Sequence, residues 1–167
     1  MPTTDMKTTP ATDGPVASPS VPRRVMIIAP QPFFEWRGSP IRVSFLVRAL
    51  AELGFEVDLL CMPVGAPFSC AGVSVHRPPN IFRVRSIPIG PSLRKAVYDV
   101  LLLACAMRLA LTRRYGVIHG IEEAGLLAVL VGRLFSVPVI YEKHSDPGSH
   151  RGGRLRNLVL RAYAAVE

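Results

Sequence analysis

The chain has 167 residues, 49% hydrophobic and 19% charged, a composition of ordinary globular domains that excludes collagen-like and low-complexity architectures. Its 20 Lys and Arg against 12 Asp and Glu give a formal charge of +8, which favours an anionic partner: a nucleotide, a phosphorylated substrate, nucleic acid or an acidic membrane surface. The length predicts about one domain, so a function needing two full domains is either absent or shared with further polypeptide.

The first 23 residues are expected to be a disordered Pro/Thr/Ser-rich tail. Five of the 16 prolines fall within residues 1–22, and too little apolar surface is available there to offset ordering entropy. The start lacks the charged and apolar regions of a secretory signal. Without Lys7, Asp5 and Asp13, the remainder holds 19 basic against 10 acidic residues, so a charge of +9 belongs to the folded part.

From Arg24 onward, short aliphatic runs alternate with helical-period segments, the pattern of parallel strands covered by crossover helices. Strands are predicted at Val25–Ala29, Glu56–Cys61, Val117–His119 and Val137–Glu142, with weaker candidates at Val73–His76 and Phe82–Ile87. Leu46, Ala49, Leu50 and Leu53 recur at helical spacing, and Gly54 supplies a stop. Further helices are expected over 93–111, over 124–135 and from Arg154 to the end, the last with an apolar stripe of Leu155, Leu158, Val159 and Tyr163. The fold class is therefore α/β, a Rossmann-like parallel sheet with helices on both faces. Apolar stretches around 100–107 and 126–131 are too short to span a bilayer. Cys61, Cys70 and Cys105 form no CxxC pair, which argues against a disulfide framework or a zinc site and fits small core residues in a reduced, cytoplasmic protein.

In an open parallel sheet the ligand sits beyond the carboxyl ends of the strands, so the three loops there hold the candidates. After the first strand, PQPFFEWRGSPIR places Ser39 as an N-cap and Pro40 as the first helical residue. Gly38 would permit close approach, and Arg37 and Arg42 beside free helix amides would suit a phosphate or pyrophosphate; a simple tight turn with solvated arginines is the alternative. Neither GxGxxG nor a Walker pattern is present, and Cys61 and Met62 stand where a dinucleotide enzyme carries an acid, which disfavours a nicotinamide-dependent oxidoreductase. After the strand at Val117, HGIEEAG puts His119, Glu122 and Glu123 at a helix junction, where the glutamates are either functional or dipole partners. After the last strand, YEKHSDPGSHRGG offers His144, whose imidazole can bond a sugar hydroxyl or transfer a proton. Arg151, Arg154, Arg156 and Arg161 could touch acidic lipids or form a solvated face; without interleaved aromatics they make no nucleic-acid patch.

The segments RVMIIAPQPFFEWRGSPIRVSFLVRALAELGFEVDLL and YGVIHGIEEAGLLAVLVGRLFSVPVIYEKHSD resemble the N-terminal, acceptor-side domain of family 4, GT-B type glycosyltransferases over about residues 24–165. The resemblance implies a retaining, metal-independent transferase, without a cofactor, that moves a sugar from a nucleotide-diphosphate-sugar to an acceptor across a cleft between two Rossmann-like domains. By this match Gly38 would approach the donor diphosphate, His144 would lie near the transferred sugar, and Glu122 would contact acceptor or sugar hydroxyls. Ile121 stands where relatives often have a second His, and a single Gly38 replaces a glycine pair. The family's E-x7-E carboxylates, which belong to the C-terminal half, are absent, so residues 24–167 read as a domain truncated at its C-terminal end and inactive alone. The expected partners are the donor, a glycosyl acceptor, the missing domain and an acidic membrane at the inner face. A non-catalytic binding module for an anion, membrane or protein is the rival reading.

Overall fold

The computed structural model describes residues 22–33, 38–86 and 92–143. Residues 1–21 of the predicted tail, the Arg154 helix, Arg37 and His144 lie outside the described residues, whereas Arg23 at the tail's end donates to the Leu53 carbonyl at 3.2 Å. Five strands and three helices follow one another as β1 (Arg24–Ala29), α1 (Gly38–Glu52), β2 (Glu56–Cys61), β3 (Val73–His76), α2 (Leu93–Thr112), β4 (Val117–Ile121), α3 (Ala124–Phe135) and β5 (Val139–Glu142). The strands form one parallel sheet in the order β3-β2-β1-β4-β5. β1 is central because RVMIIA is apolar on both faces; Met26 and Ile28 pack with α2 and α3 on one side, Ile27 and Ala29 with α1 on the other. The expected α/β sheet with helices on both faces is what the chain forms.

Strand order reverses at β1. The connection through α1 leads to β2 on one side, whereas β4, its other neighbour, continues through α3 to β5. The carboxyl ends of β1 and β4 therefore flank a topological switch point, where the two sets of loops part and leave a crevice.

Four expectations need correction. Residues 82–86 are not a strand. Asn80 exchanges two side-chain bonds with the Val84 backbone (2.8 and 3.0 Å), Arg83 is left-handed at φ 47°, and the resulting turn seats Phe82 edge-on against Tyr98. α1 starts at Gly38, so Ser39 lies inside the first turn and does not precede it. Pro40 misled the assignment because none of the first four helical N–H groups has a partner within the helix, and proline fits any of these positions. β4 runs two residues past His119, pairing Gly120 with Tyr141 and Ile121 with Glu142, so the imidazole sits within the strand rather than at its end. β5 begins at Val139 because Ser136, left-handed at φ 54°, and Pro138 make the turn from α3 into it.

Gly120 sets the fit of α3 on the sheet. A Cβ there would stand 2.7 Å from both the Ala124 carbonyl and the Ala128 Cβ. The helix can approach β4 closely only over a bare Cα, and this brings the Glu122–Glu123 turn to the rim of the crevice.

Candidate functional site

The first turn of α1 borders the crevice. It contains no acidic residue, its amides lack intrahelical partners, and Ser39 is half-buried above the buried Pro40. An ideal Cβ built on Gly38 would meet nothing within 4 Å, so among the described residues none crowds this backbone. Such a terminus carries about half a positive charge and suits an anion.

Arg42 follows in the same helix. Its Nε lies 2.6 Å from Glu142 Oε1, while Oε2 of the same carboxylate is 3.0 Å from His119 Nε2. His119 is buried at 8% exposure on the α1 face of β4. The Glu142 carbonyl accepts the N–H of Glu122 at 2.8 Å, and the Glu122 carbonyl accepts that of Gly125 at 3.0 Å. These bonds hold Glu122 at φ 54°, a left-handed conformation that a glutamate adopts at some cost. Arg42 of α1, His119 of β4 and Glu122 of the turn after it, three candidates from two separate segments, are thus gathered by Glu142.

Glu123 belongs to a second cluster on the other face. It pairs with Lys95, which also binds Asp99 at 3.2 Å; Lys95 is itself only 8% exposed. Burial pushes the Asp99 carboxyl up, against the pull of the Lys95 charge. Glu123 makes no capping bond to α3, so its task is to tie that helix start to α2.

Cys61, at the end of β2, is fully buried, and burial pushes its thiol up to about 11 despite the Arg77 charge. At neutral pH it is a small core residue rather than a nucleophile. All three cysteines are free thiols. Gln31 follows β1, and its buried side-chain oxygen has no hydrogen-bond partner among the described residues.

Nearer the amino ends of the strands, Asp58 accepts bonds from His76 Nε2 and Tyr115 Oη, both at 2.7 Å, and from Arg113. Burial would raise its carboxyl, but these three donors outweigh it and hold Asp58 well below the usual carboxylate range. Burial and the adjacent carboxylate push the Tyr115 phenol up, and the bond to Asp58 raises Arg113. This network fastens the segment between α2 and β4 to the sheet.

Sequence reasoning missed Glu142, Lys95, Gln31 and Asp58. The one visible signal was Asp58, an acid inside the apolar run EVDLLC that could enter a buried strand only with partners.

The sequence profile of the Glycosyl transferase 4-like domain matches residues 37–167. Among solved structures, one of Phytolacca americana UGT2 complexed with UDP-2fluoro-glucose and pterostilbene is similar, with a TM-score of 0.52 at 16% identity. The match covers 78% of this chain and 32% of the plant protein, so the chain spans about a third of that length and the likeness is one of fold. No curated protein matches in sequence. No helix among the described residues is long and apolar enough to cross a membrane.

Proposed function

Because this chain belongs to the Glycosyl transferase 4-like domain family, we propose that it is the acceptor-side half of a retaining, metal-independent glycosyltransferase that moves a hexose from a nucleotide-diphosphate-sugar to an acceptor. The observation that carries this reading is the meeting of an acid-free helix terminus with Arg42, His119 and Glu122 at the switch point of the sheet.

In the transfer, the bond from the sugar C1 to the diphosphate oxygen breaks, a bond from C1 to the acceptor oxygen forms, and the acceptor hydroxyl's proton passes to the departing diphosphate oxygen. Negative charge develops on the departing diphosphate. The α1 amides at Gly38 and Ser39, already fixed in the helix, stabilise that charge together with Arg42 and Arg37. Glu122 and His119 bond hydroxyls of the sugars, and the family resemblance gives His144 a role at the transferred one. A second domain supplies the main contacts to the nucleotide, and the pair works on the cytoplasmic side, with an acidic membrane as a peripheral contact through Arg151, Arg154, Arg156 and Arg161.

The test joins this chain to the donor-binding domain that completes it and follows transfer from nucleotide-sugars by chromatography, with the product anomer assigned by NMR and EDTA present in parallel. Retention, insensitivity to EDTA, and loss of rate in Gly38→Val and His144→Ala are expected. Inversion, or unchanged rates in both variants, refutes the mechanism or the site; absence of transfer with any donor leaves the binding-module reading in its place.

A further inference from the structure

Glu142 closes β5 with a side chain only 15% exposed, and each oxygen of its carboxylate has its own cationic or imidazole neighbour, Arg42 Nε at 2.6 Å and His119 Nε2 at 3.0 Å. Its partner Arg42 is 64% exposed and meets the carboxylate through Nε as an ion pair; no other ion pair or side-chain hydrogen bond of Arg42 is found among the described residues. A cation near the start of a helix opposes the helix dipole, and α1 has no first-turn acid of its own to offset it. The carboxylate from β5 supplies that charge across space. It also restrains a long side chain that would otherwise sample many rotamers, which matters because a guanidinium binds phosphate best as a pre-set planar fork.

We propose that Glu142 is a positioning residue: by holding Arg42 through Nε, it presets the Nη edge of the guanidinium for a phosphate group at the α1 terminus. The inference rests on the reading of this corner as the diphosphate side of the site. Its distinctive consequence is one of sign. Coulomb's law alone says that deleting a carboxylate next to an anion site tightens anion binding. Positioning says that the deletion weakens it.

The experiment titrates inorganic pyrophosphate into the 167-residue chain at low salt, followed by backbone amide NMR shifts, for the parent, Arg42→Ala, Glu142→Ala, Glu142→Gln and the double variant Arg42→Ala/Glu142→Ala. Arg42→Ala should weaken binding about tenfold, the scale of one charge-assisted hydrogen bond. Glu142→Ala should weaken it by roughly threefold or more, with Gln partly restoring it by accepting from Nε, and the Glu142 effect should vanish once Arg42 is gone. If Arg42→Ala weakens binding while both Glu142 variants bind as tightly as the parent or tighter, positioning is overturned and the anion corner stands. If Arg42→Ala changes nothing, the reading of the corner falls first, and the role of Glu142 with it. Should Glu142→Ala lose its dispersed spectrum, Glu142→Gln decides alone, since it removes the same charge at constant shape.

Discussion

Replacing Asp58 with asparagine tests whether a buried charge holds the frame beneath the site. The shape is kept, so the His76 and Tyr115 contacts can persist as neutral hydrogen bonds, while the charge that meets Arg113 is lost. Removing one partner of a buried ion pair costs about 3–5 kcal/mol. The Arg113 side chain is 34% exposed and can turn to water, which puts the expected cost near the lower end, about 3 kcal/mol. For a domain of this size that lowers Tm by about 10 °C.

The same substitution should change the acid limb. Asp58 is held well below its ordinary range in the folded chain. As the pH falls below about 4, the unfolded chain takes up a proton there that the folded chain refuses, and stability drops with acidification. Asp58→Asn removes that contribution, so the variant should lose less stability between neutral pH and about pH 3 than the parent does. Urea titrations monitored by circular dichroism at both pH values measure each quantity. A variant within about 0.5 kcal/mol of the parent at neutral pH, with an unchanged acid slope, refutes the assignment of the network as a structural fastening.

The two glycines at the site should separate fit from function. Gly120→Ala places a Cβ 2.7 Å from two atoms of α3 and should cost about 1–3 kcal/mol by urea unfolding; a neutral result would show that α3 can shift. Gly38→Ala meets open space, so the same measurement should find it neutral or stabilised by up to about 1 kcal/mol, and any loss of transfer in the completed enzyme is then a loss at the ligand. Cys61, buried and pushed up to about 11, should resist iodoacetamide at pH 8 until urea unfolds the chain, with peptide mapping showing Cys70 and Cys105 modified first; equal rates for all three would contradict its burial.

The strands of the inner sheet were legible because a strand covered on both faces is a mostly apolar run, as in RVMIIA and, with Asp58 as its one interruption, the VDLLC of β2. Edge and turn elements were less so. Val73–His76 is half-buried and reads weakly, and the alternation in FRVRSI imitates a strand although Asn80 folds that region with its own side chain. Glu142 was hidden for another reason. Its neighbours Arg42 and His119 come from α1 and β4, and nothing local to YEK records that the sheet order brings the start of α1, the middle of β4 and the end of β5 together. A helix dipole met by a distant carboxylate has no sequence period.

That placement changes what the basic composition says about the site. The charge of the folded part pointed to an anionic partner, yet among the described residues Arg42 beside the crevice is already matched by Glu142, and Lys95 on the other face by Asp99 and Glu123. A matched cation adds little to a long-range field, which salt screens within about 8 Å at physiological ionic strength. The proposed recognition of a diphosphate therefore draws, among the described residues, on directed groups: the α1 amides and one edge of the Arg42 guanidinium. Pyrophosphate binding to the parent chain should therefore fall less steeply with added salt than its overall charge suggests, and a salt slope that survives Arg42→Ala unchanged would place the binding elsewhere on the basic surface.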